Sequence, residues 1–124
     1  MPASGFYEWR REGKFKTPYY FTFRKGPIVF AGLWERWTDG AEVIHSFIII
    51  TTEANEVMAP IHDRMPVILQ RDVWRSWLNP NHQDLSHLQS LLRPAAEDVL
   101  ECREVGSYVN NVRHEGEECI ARMA

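Results

Sequence analysis

Between Thr17 and Thr52 the chain carries three runs of aromatic and β-branched residues, parted by Lys25-Gly26-Pro27 and Thr38-Asp39-Gly40, and this pattern commits the first fifty residues to β-structure. In Thr17 to Arg24, Tyr19, Phe21 and Phe23 alternate with Tyr20, Thr22 and Arg24, which predicts a strand with one packed face and one mixed face. Ile28 to Trp37 reads as a second strand. Val43 to Thr52 reads as a third, and its Phe47-Ile48-Ile49-Ile50 stretch is apolar on both faces, as expected of a central strand.

The pattern changes after Thr52. Glu53 to Met58 suits a helical turn that Pro60 ends, and Met65 to Leu69 suits another strand. Asp72 can cap a helix with Val73, Trp74, Trp77 and Leu78 on one face and Asn79-Pro80 as its stop. Leu85, Leu88, Leu91 and Leu92 mark a second helix before Pro94, and Val99 to Val105 with Ser107 to Val109 return to extended backbone. Strands, then helices, then strands is a mixed α+β order, and 124 residues without repeat or flexible linker make one domain, 1–124.

Several function classes drop out. Gly5, Gly13, Gly26, Gly32 and Gly40 are scattered rather than grouped in a phosphate loop, which excludes kinase and nucleotide-binding readings. Cys102 and Cys119 have no metal-type spacing to each other or to the five histidines, so neither a zinc site nor a disulfide framework is expected, and no cofactor is implied. Met1 to Arg11 has no apolar core or cleavage pattern and no run is long enough to span a membrane, so the expected location is the cytoplasm. The net charge of -3 is unevenly placed: residues 1–25 hold six cations against two acids, whereas residues 95–124 hold three arginines against seven acids. A phosphate-seeking face belongs to the first half, unless those cations only blunt the edge of a solvated hairpin.

Two residues invite chemistry. Glu8 lies among large aromatics in Gly5-Phe6-Tyr7-Glu8-Trp9, a setting that raises a carboxyl pKa for acid–base work or simply holds an edge-strand glutamate. His62 lies between two prolines in Pro60-Ile61-His62-Asp63-Arg64-Met65-Pro66, a rigid loop that suits either a site or a histidine satisfied by a neighbouring carbonyl. The cysteines stand among Glu101, Glu104, Glu117 and Glu118, which discourage thiolate formation. Of the five tryptophans, Trp74 and Trp77 read as core or interface, and Trp9, followed by Arg10 and Arg11, is the candidate to stack a nucleobase.

Gly5-Phe6-Tyr7-Glu8-Trp9, Phe30-Ala31-Gly32-Leu33-Trp34-Glu35, Thr51-Thr52-Glu53-Ala54-Asn55, Ile61-His62-Asp63-Arg64-Met65-Pro66 and Val109-Asn110-Asn111, in that order, resemble the SRAP family, the SOS response-associated peptidase domain. The resemblance runs over nearly the whole chain. It implies a largely β fold of twisted sheets or an open barrel with packed helices, and a positively charged cleft for single-stranded DNA. It also implies a role in the DNA-damage (SOS) response: recognition of abasic sites and covalent linkage to them, in a family earlier proposed to be thiol autopeptidases. In that chemistry the α-amine of an N-terminal cysteine forms a Schiff base with the open-chain sugar aldehyde, and its thiol closes a thiazolidine ring.

By the same resemblance Glu8 matches the family's active-site glutamate, expected to assist ring opening and proton transfer, and His62 its active-site histidine. Arg64 matches an arginine near the DNA backbone and Thr51 a threonine lining the same cleft, while Trp9 and Asn110 are DNA-binding assignments made from their motifs. The departure is at the start, where Met1 is followed by Pro2 and the family's nucleophilic cysteine has no counterpart. The chain is therefore expected to be a partial domain with unpaired strand edges and exposed apolar surface, needing a second chain or self-association. Three readings stand open: an abasic-site crosslinker completed by another half, a non-catalytic single-stranded DNA-binding module, and an inactive remnant.

Overall fold

Two tight turns organise the first half, each built on a glycine in the left-handed region: Gly13 at φ 60° and Gly40 at φ 56°. Residues 1–82 and 84–123 are described by a computed structural model. The chain opens with β1 (Pro2–Ala3), β2 (Phe6–Glu12), β3 (Phe15–Phe23) and β4 (Ile28–Val29), followed by β5 (Gly32–Asp39) and β6 (Glu42–Ile49). Then come β7 (Thr51–Glu53), β8 (Arg64–Pro66), the short helices α1 (Trp74–Leu78) and α2 (Leu85–Ser90), and β9 (Leu100–Glu104). The result is mostly strand with few helices, in small antiparallel ladders that do not close: β1-β4, β2-β3-β9, β5-β6 and β7-β8.

A knot of backbone hydrogen bonds joins these ladders. Ala31 N–H donates to Val67 O (2.9 Å), Val67 N–H to Ile50 O (2.8 Å) and Ile50 N–H to Ala31 O (3.0 Å), closing a ring between three segments remote in sequence. Ala31 and Val67 are fully buried there, so the polar backbone of the knot is satisfied away from water. The main core packs Phe21, Ile28, Phe30, Met58, Met65, Ile68, Ala95 and Leu100, with Phe6 stacked on Phe21 at 5.1 Å. A smaller core of Ala31, Val67 and Leu69 is covered by Trp74 and Trp77, whose indole N–H groups donate to Leu69 O (2.9 Å) and Gly32 O (3.2 Å).

Several sequence expectations are corrected. The strand expected over Ile28 to Trp37 is broken at Phe30-Ala31, because those two residues turn to pair with other segments: Phe30 with Met1 and Ile68, Ala31 with Val67 and Ile50. The third strand is not central. Among the described residues β6 pairs only with β5, from Gly32↔Ile49 to Asp39↔Glu42, and every residue of β6 is exposed. Asp72 caps nothing; it lies inside a 3-10 turn, Arg71–Val73, and α1 starts behind it without a side-chain cap. Leu78 points to solvent rather than sharing the covered face of Trp74 and Trp77, because Leu78 closes the last turn of a helix only five residues long.

Ser107–Asn110 form a 3-10 turn rather than extended backbone, and the cause is local. The His114 ring stacks on Tyr108 at 3.9 Å and its Nδ1 lies 2.7 Å from Tyr108 O, which folds the chain back on itself. Glu53 belongs to β7, and the turn expected from it begins at Asn55 instead. The mixed face of β3 is better covered than alternation suggested: Tyr20 is buried under Tyr7 (5.1 Å) and the Arg103 guanidinium (5.3 Å). No helix among the described residues is long and apolar enough to cross a membrane.

Candidate functional site

β2 is an edge strand, so its successive residues reach a common cleft around that edge from both faces. The strand is set by Gly5. A Cβ there would stand 2.5 Å from both the Phe21 carbonyl oxygen and the Tyr20 ring, so only glycine lets β2 close onto β3 in the register Phe6↔Phe21, Glu8↔Tyr19, Arg11↔Lys16. Glu8, Trp9, Arg11 and Lys16 then line an open cleft of ≈ 460 Å³, completed by His62 and Asn110.

His62 arrives from a clamped turn. The Asn55 side chain accepts from Met58 N–H (3.0 Å) and donates to Ala95 O (3.0 Å), while Met58, fully buried, receives the N–H groups of Ile61 and His62 on its carbonyl. Asn55 therefore ties the turn to the core and delivers His62 to the cleft. The sequence reading placed Asn55 in a motif but gave it no role, and its position just after a strand and three residues before a buried apolar residue is the signal that identifies a turn clamp.

The two acid–base candidates meet. Glu8 Oε2 lies 3.7 Å from His62 Nδ1. That ring nitrogen accepts from Arg64 N–H (3.0 Å) and also faces Arg64 O (3.1 Å) and Asp63 Oδ1 (3.4 Å). One donor and three acceptors thus surround Nδ1, so either tautomer of the ring finds a partner there. Burial raises the Glu8 carboxyl pKa above its ordinary value, and the neighbouring His62 partly offsets the rise. A carboxyl with a raised pKa beside an imidazole is equipped to move protons at a bound group.

The remaining assigned residues fall into two pairs. Arg64 Nη2 donates to Thr51 O (2.8 Å) and to Thr51 Oγ1 (3.1 Å), so Thr51 orients the guanidinium, and this exposed pair stands outside the lining of the cleft that holds Glu8 and His62. Trp9 Nε1–H donates to Asn110 Oδ1 (2.6 Å), which fixes the indole at the cleft wall. Within the basic segment Arg10 to Lys16 the structure discriminates: Arg10 is held by Glu12 (2.6 Å) and the Tyr19 ring (5.3 Å), whereas Arg11 and Lys16 face the cleft. The sequence offers the basic segment Arg10 to Lys16 as a whole for single-stranded DNA, and the hairpin register, which sets Arg11 opposite Lys16, tells its cations apart.

The cleft lining contains no cysteine among the described residues. Cys119 is buried, and Cys102, half-buried opposite Phe21, has its thiol pKa raised by burial. Cys102 is therefore not set up as a thiolate.

Comparison with known proteins identifies the family. The family model described as SOS response associated peptidase (SRAP) matches residues 1–112. The chain is 42% identical over 123 residues to the abasic site processing protein YoqW of Bacillus subtilis, covering 97% of this chain and 55% of the relative. It is 33% identical over 142 residues to the abasic site processing protein HMCES of Xenopus tropicalis, covering 98% of this chain and 42% of that one. The crystal structure of a protein from Bacteroides thetaiotaomicron superposes with a TM-score of 0.89 at 29% identity, over 100% of this chain and 56% of the other. The chain thus spans about half the length of the relatives it matches.

Proposed function

The chain belongs to the SOS response associated peptidase (SRAP) family, and we propose that it binds single-stranded DNA at abasic sites, with Glu8 and His62 serving the chemistry at the damaged sugar. The observation that carries this reading is the 3.7 Å approach of Glu8 to His62 in a cleft flanked by Arg11 and Lys16. The abasic site processing proteins among its relatives supply the substrate class.

The roles divide by chemistry. Arg11, Lys16 and Arg64 contact phosphates, and Trp9 stacks the base beside the lesion, worth about 1–3 kcal/mol. The Glu8 carboxyl gives its proton to the sugar ring oxygen as the C1′–O4′ bond breaks, and the anomeric hydroxyl loses its proton, leaving the open-chain aldehyde. His62 beside it takes up or returns that proton. A primary amine then adds to the aldehyde and loses water to give an imine, and addition of a neighbouring thiol across the C=N bond closes the thiazolidine. In this reading amine and thiol belong to an N-terminal cysteine carried outside these 124 residues, in trans or ahead of Met1. Pro2, were its amine freed, would form only an iminium, with no thiol to trap it.

The test is denaturing electrophoresis of the chain with single-stranded DNA carrying one abasic site, with and without borohydride, beside a native gel. Salt-sensitive native binding specific to the abasic strand is the expected result for the chain alone. A covalent band that survives without reductant would show that a complete nucleophile lies within these residues. A native gel without any shift would defeat the binding role.

A further inference from the structure

The register of β3 against β9 gathers arginines in a part of the chain whose sequence is mostly acidic. Tyr20 pairs with Arg103 and Thr22 with Glu101, so these four side chains share one face of the β2-β3-β9 sheet, and Arg24 follows on that face just past the end of β3. The antiparallel bridge Val105↔Arg122 brings the end of the chain alongside. Together Tyr20, Thr22, Arg24, Glu101, Arg103 and Arg122 line a polar pocket of ≈ 270 Å³. Residues 95–124 hold seven acids, yet Glu101 is the single carboxylate in this lining, against three guanidinium groups. It meets Arg24 Nε only at 3.9 Å, and both side chains are more than half exposed.

Arg103 is held in place. Its Nη2 donates to Ile120 O (2.8 Å), and its guanidinium lies 5.3 Å from the centre of the Tyr20 ring. Its Nε–H is closed off from water and has no acceptor among the described residues. A buried donor on a charged group is stable only when an acceptor reaches it, and a bound oxyanion is such an acceptor.

We propose that this pocket binds a phosphate oxyanion, at a site separate from the Glu8–His62 cleft. The lining carries two positive charges in excess, which match a phosphate near pH 7. Guanidinium forks suit its oxygens, and Arg103, already fixed by Tyr20 and Ile120, loses little freedom on binding. The pocket is smaller than the about 300–1,000 Å³ usual for whole small molecules, so it fits a single phosphate group. Trp9, Tyr7, Tyr20 and Arg103 form one row across the sheet at 6.1, 5.1 and 5.3 Å, so the pocket shares its face with Trp9 and the cleft. Lys16 at the cleft and Arg24 at the pocket are eight residues apart along β3, about 26 Å, too far for one phosphate to serve both. The phosphate arrives either as a free ion or in the backbone of a nucleic-acid strand lying along this face. The proposal does not rest on the abasic-site reading, because the pocket shares no residue with the cleft.

The probe is inorganic phosphate, titrated into the whole chain at constant ionic strength, with the arginine Nε–H signals followed by NMR. The Arg103 signal is expected to move saturably, with a dissociation constant on the order of millimolar, while Arg113, an exposed arginine outside the pocket, stays still. Combining Arg24→Ala with Arg122→Ala, both at exposed positions, should weaken binding by about tenfold or more. Arg113→Ala should leave it unchanged, and Glu101→Gln, which removes the competing carboxylate, should tighten it. An undamaged single-stranded oligonucleotide without terminal phosphates separates the sources: a backbone phosphate moves the Arg103 signal in the same direction and loses that effect in the double variant, whereas a free-ion site responds to inorganic phosphate alone. Either response places an oxyanion in the pocket. An unresponsive Arg103 signal, a drift shared by Arg113, or phosphate binding undiminished in the double variant overturns the proposal. Loss of abasic-strand binding with the phosphate response intact would defeat the reading of the cleft and leave this site standing.

Discussion

The carboxylate of Glu8 and the imidazole of His62 approach to 3.7 Å although one rides on an edge strand and the other on a turn far along the chain. Neither element is rigid alone. Gly5 seats the strand against β3, Asn55 and the buried Met58 seat the turn, and the pair is the product of both.

Glu8→Gln keeps size and hydrogen-bonding shape but removes the mobile proton. In a complete domain, abasic-site crosslinking is expected to slow by about 10²–10⁴-fold, the usual weight of a general acid–base group, while binding to the abasic strand changes little. Single-turnover crosslinking and a titration of binding, run side by side, check this. Equal loss in both would assign Glu8 to binding or folding.

The same substitution has a pH signature in stability. Burial raises the folded-state pKa of Glu8 above its unfolded value near 4.5, so ionised Glu8 opposes folding. The penalty is absent below the unfolded value, develops as the pH rises towards the folded one, and is constant above it. Glu8→Gln should therefore be neutral at acid pH and slightly stabilising at pH 8, by less than about 0.5 kcal/mol for so accessible a group. Urea midpoints of both proteins across that range measure it; a gain that appears at acid pH and vanishes at neutral pH would reverse the sign and refute the assignment.

Arg64 and Thr51 act as one unit, because Arg64 Nη2 spends both of its contacts on Thr51. Arg64→Ala should weaken DNA binding uniformly across sequences and reduce the slope of log affinity against log salt by about 1. Thr51→Val removes only the hydroxyl, leaves the carbonyl to hold the guanidinium, and should cost about 1 kcal/mol of binding or less, with the salt slope unchanged. Fluorescence anisotropy at four salt concentrations separates the two outcomes.

Much of this site was legible beforehand and parts were not, for physical reasons. Glu8 and His62 stood out because an aromatic frame and a proline-bounded loop are local signals. Arg11 and Lys16 were hidden inside a run of cations, since which of them face the cleft depends on the β2–β3 register and on Glu12 capturing Arg10. The apolar Phe47-Ile48-Ile49-Ile50 stretch identified a strand, but not its neighbours. Two-faced apolarity marks a strand without naming the strands beside it, and among the described residues β6 has β5 alone.

Trp9 tests a second kind of dependence. Its indole N–H is held by Asn110 from the far end of the chain at 2.6 Å. Asn110→Ala should free the ring, lower stability by about 0.5–1.5 kcal/mol and weaken DNA binding, whereas Trp9→Ala should remove stacking outright at about 1–3 kcal/mol of binding. If both act through one stacked ring, the double variant will bind no more weakly than Trp9→Ala alone. A double-mutant cycle in binding, with additive losses, would show that Asn110 makes its own contact to DNA.

Gly5→Ala asks how far the cleft depends on the sheet beneath it. The added methyl would meet the Phe21 carbonyl, which is backbone, as well as the Tyr20 ring, so a rotamer change cannot relieve the whole clash and β2 must move. Overpacking of this kind costs about 1–3 kcal/mol. Because Glu8 lies three residues further along the displaced strand, crosslinking in the complete domain should fall by more than the loss of folded protein explains, and the fall should persist well below the new melting temperature. Hydrogen exchange locates the cause: amides of β2 should lose protection while those of β7 and β8, which carry Thr51 and Arg64, keep theirs. If activity per folded molecule is unchanged, the Glu8–His62 spacing is set by the His62 turn, and Gly5 serves only the core.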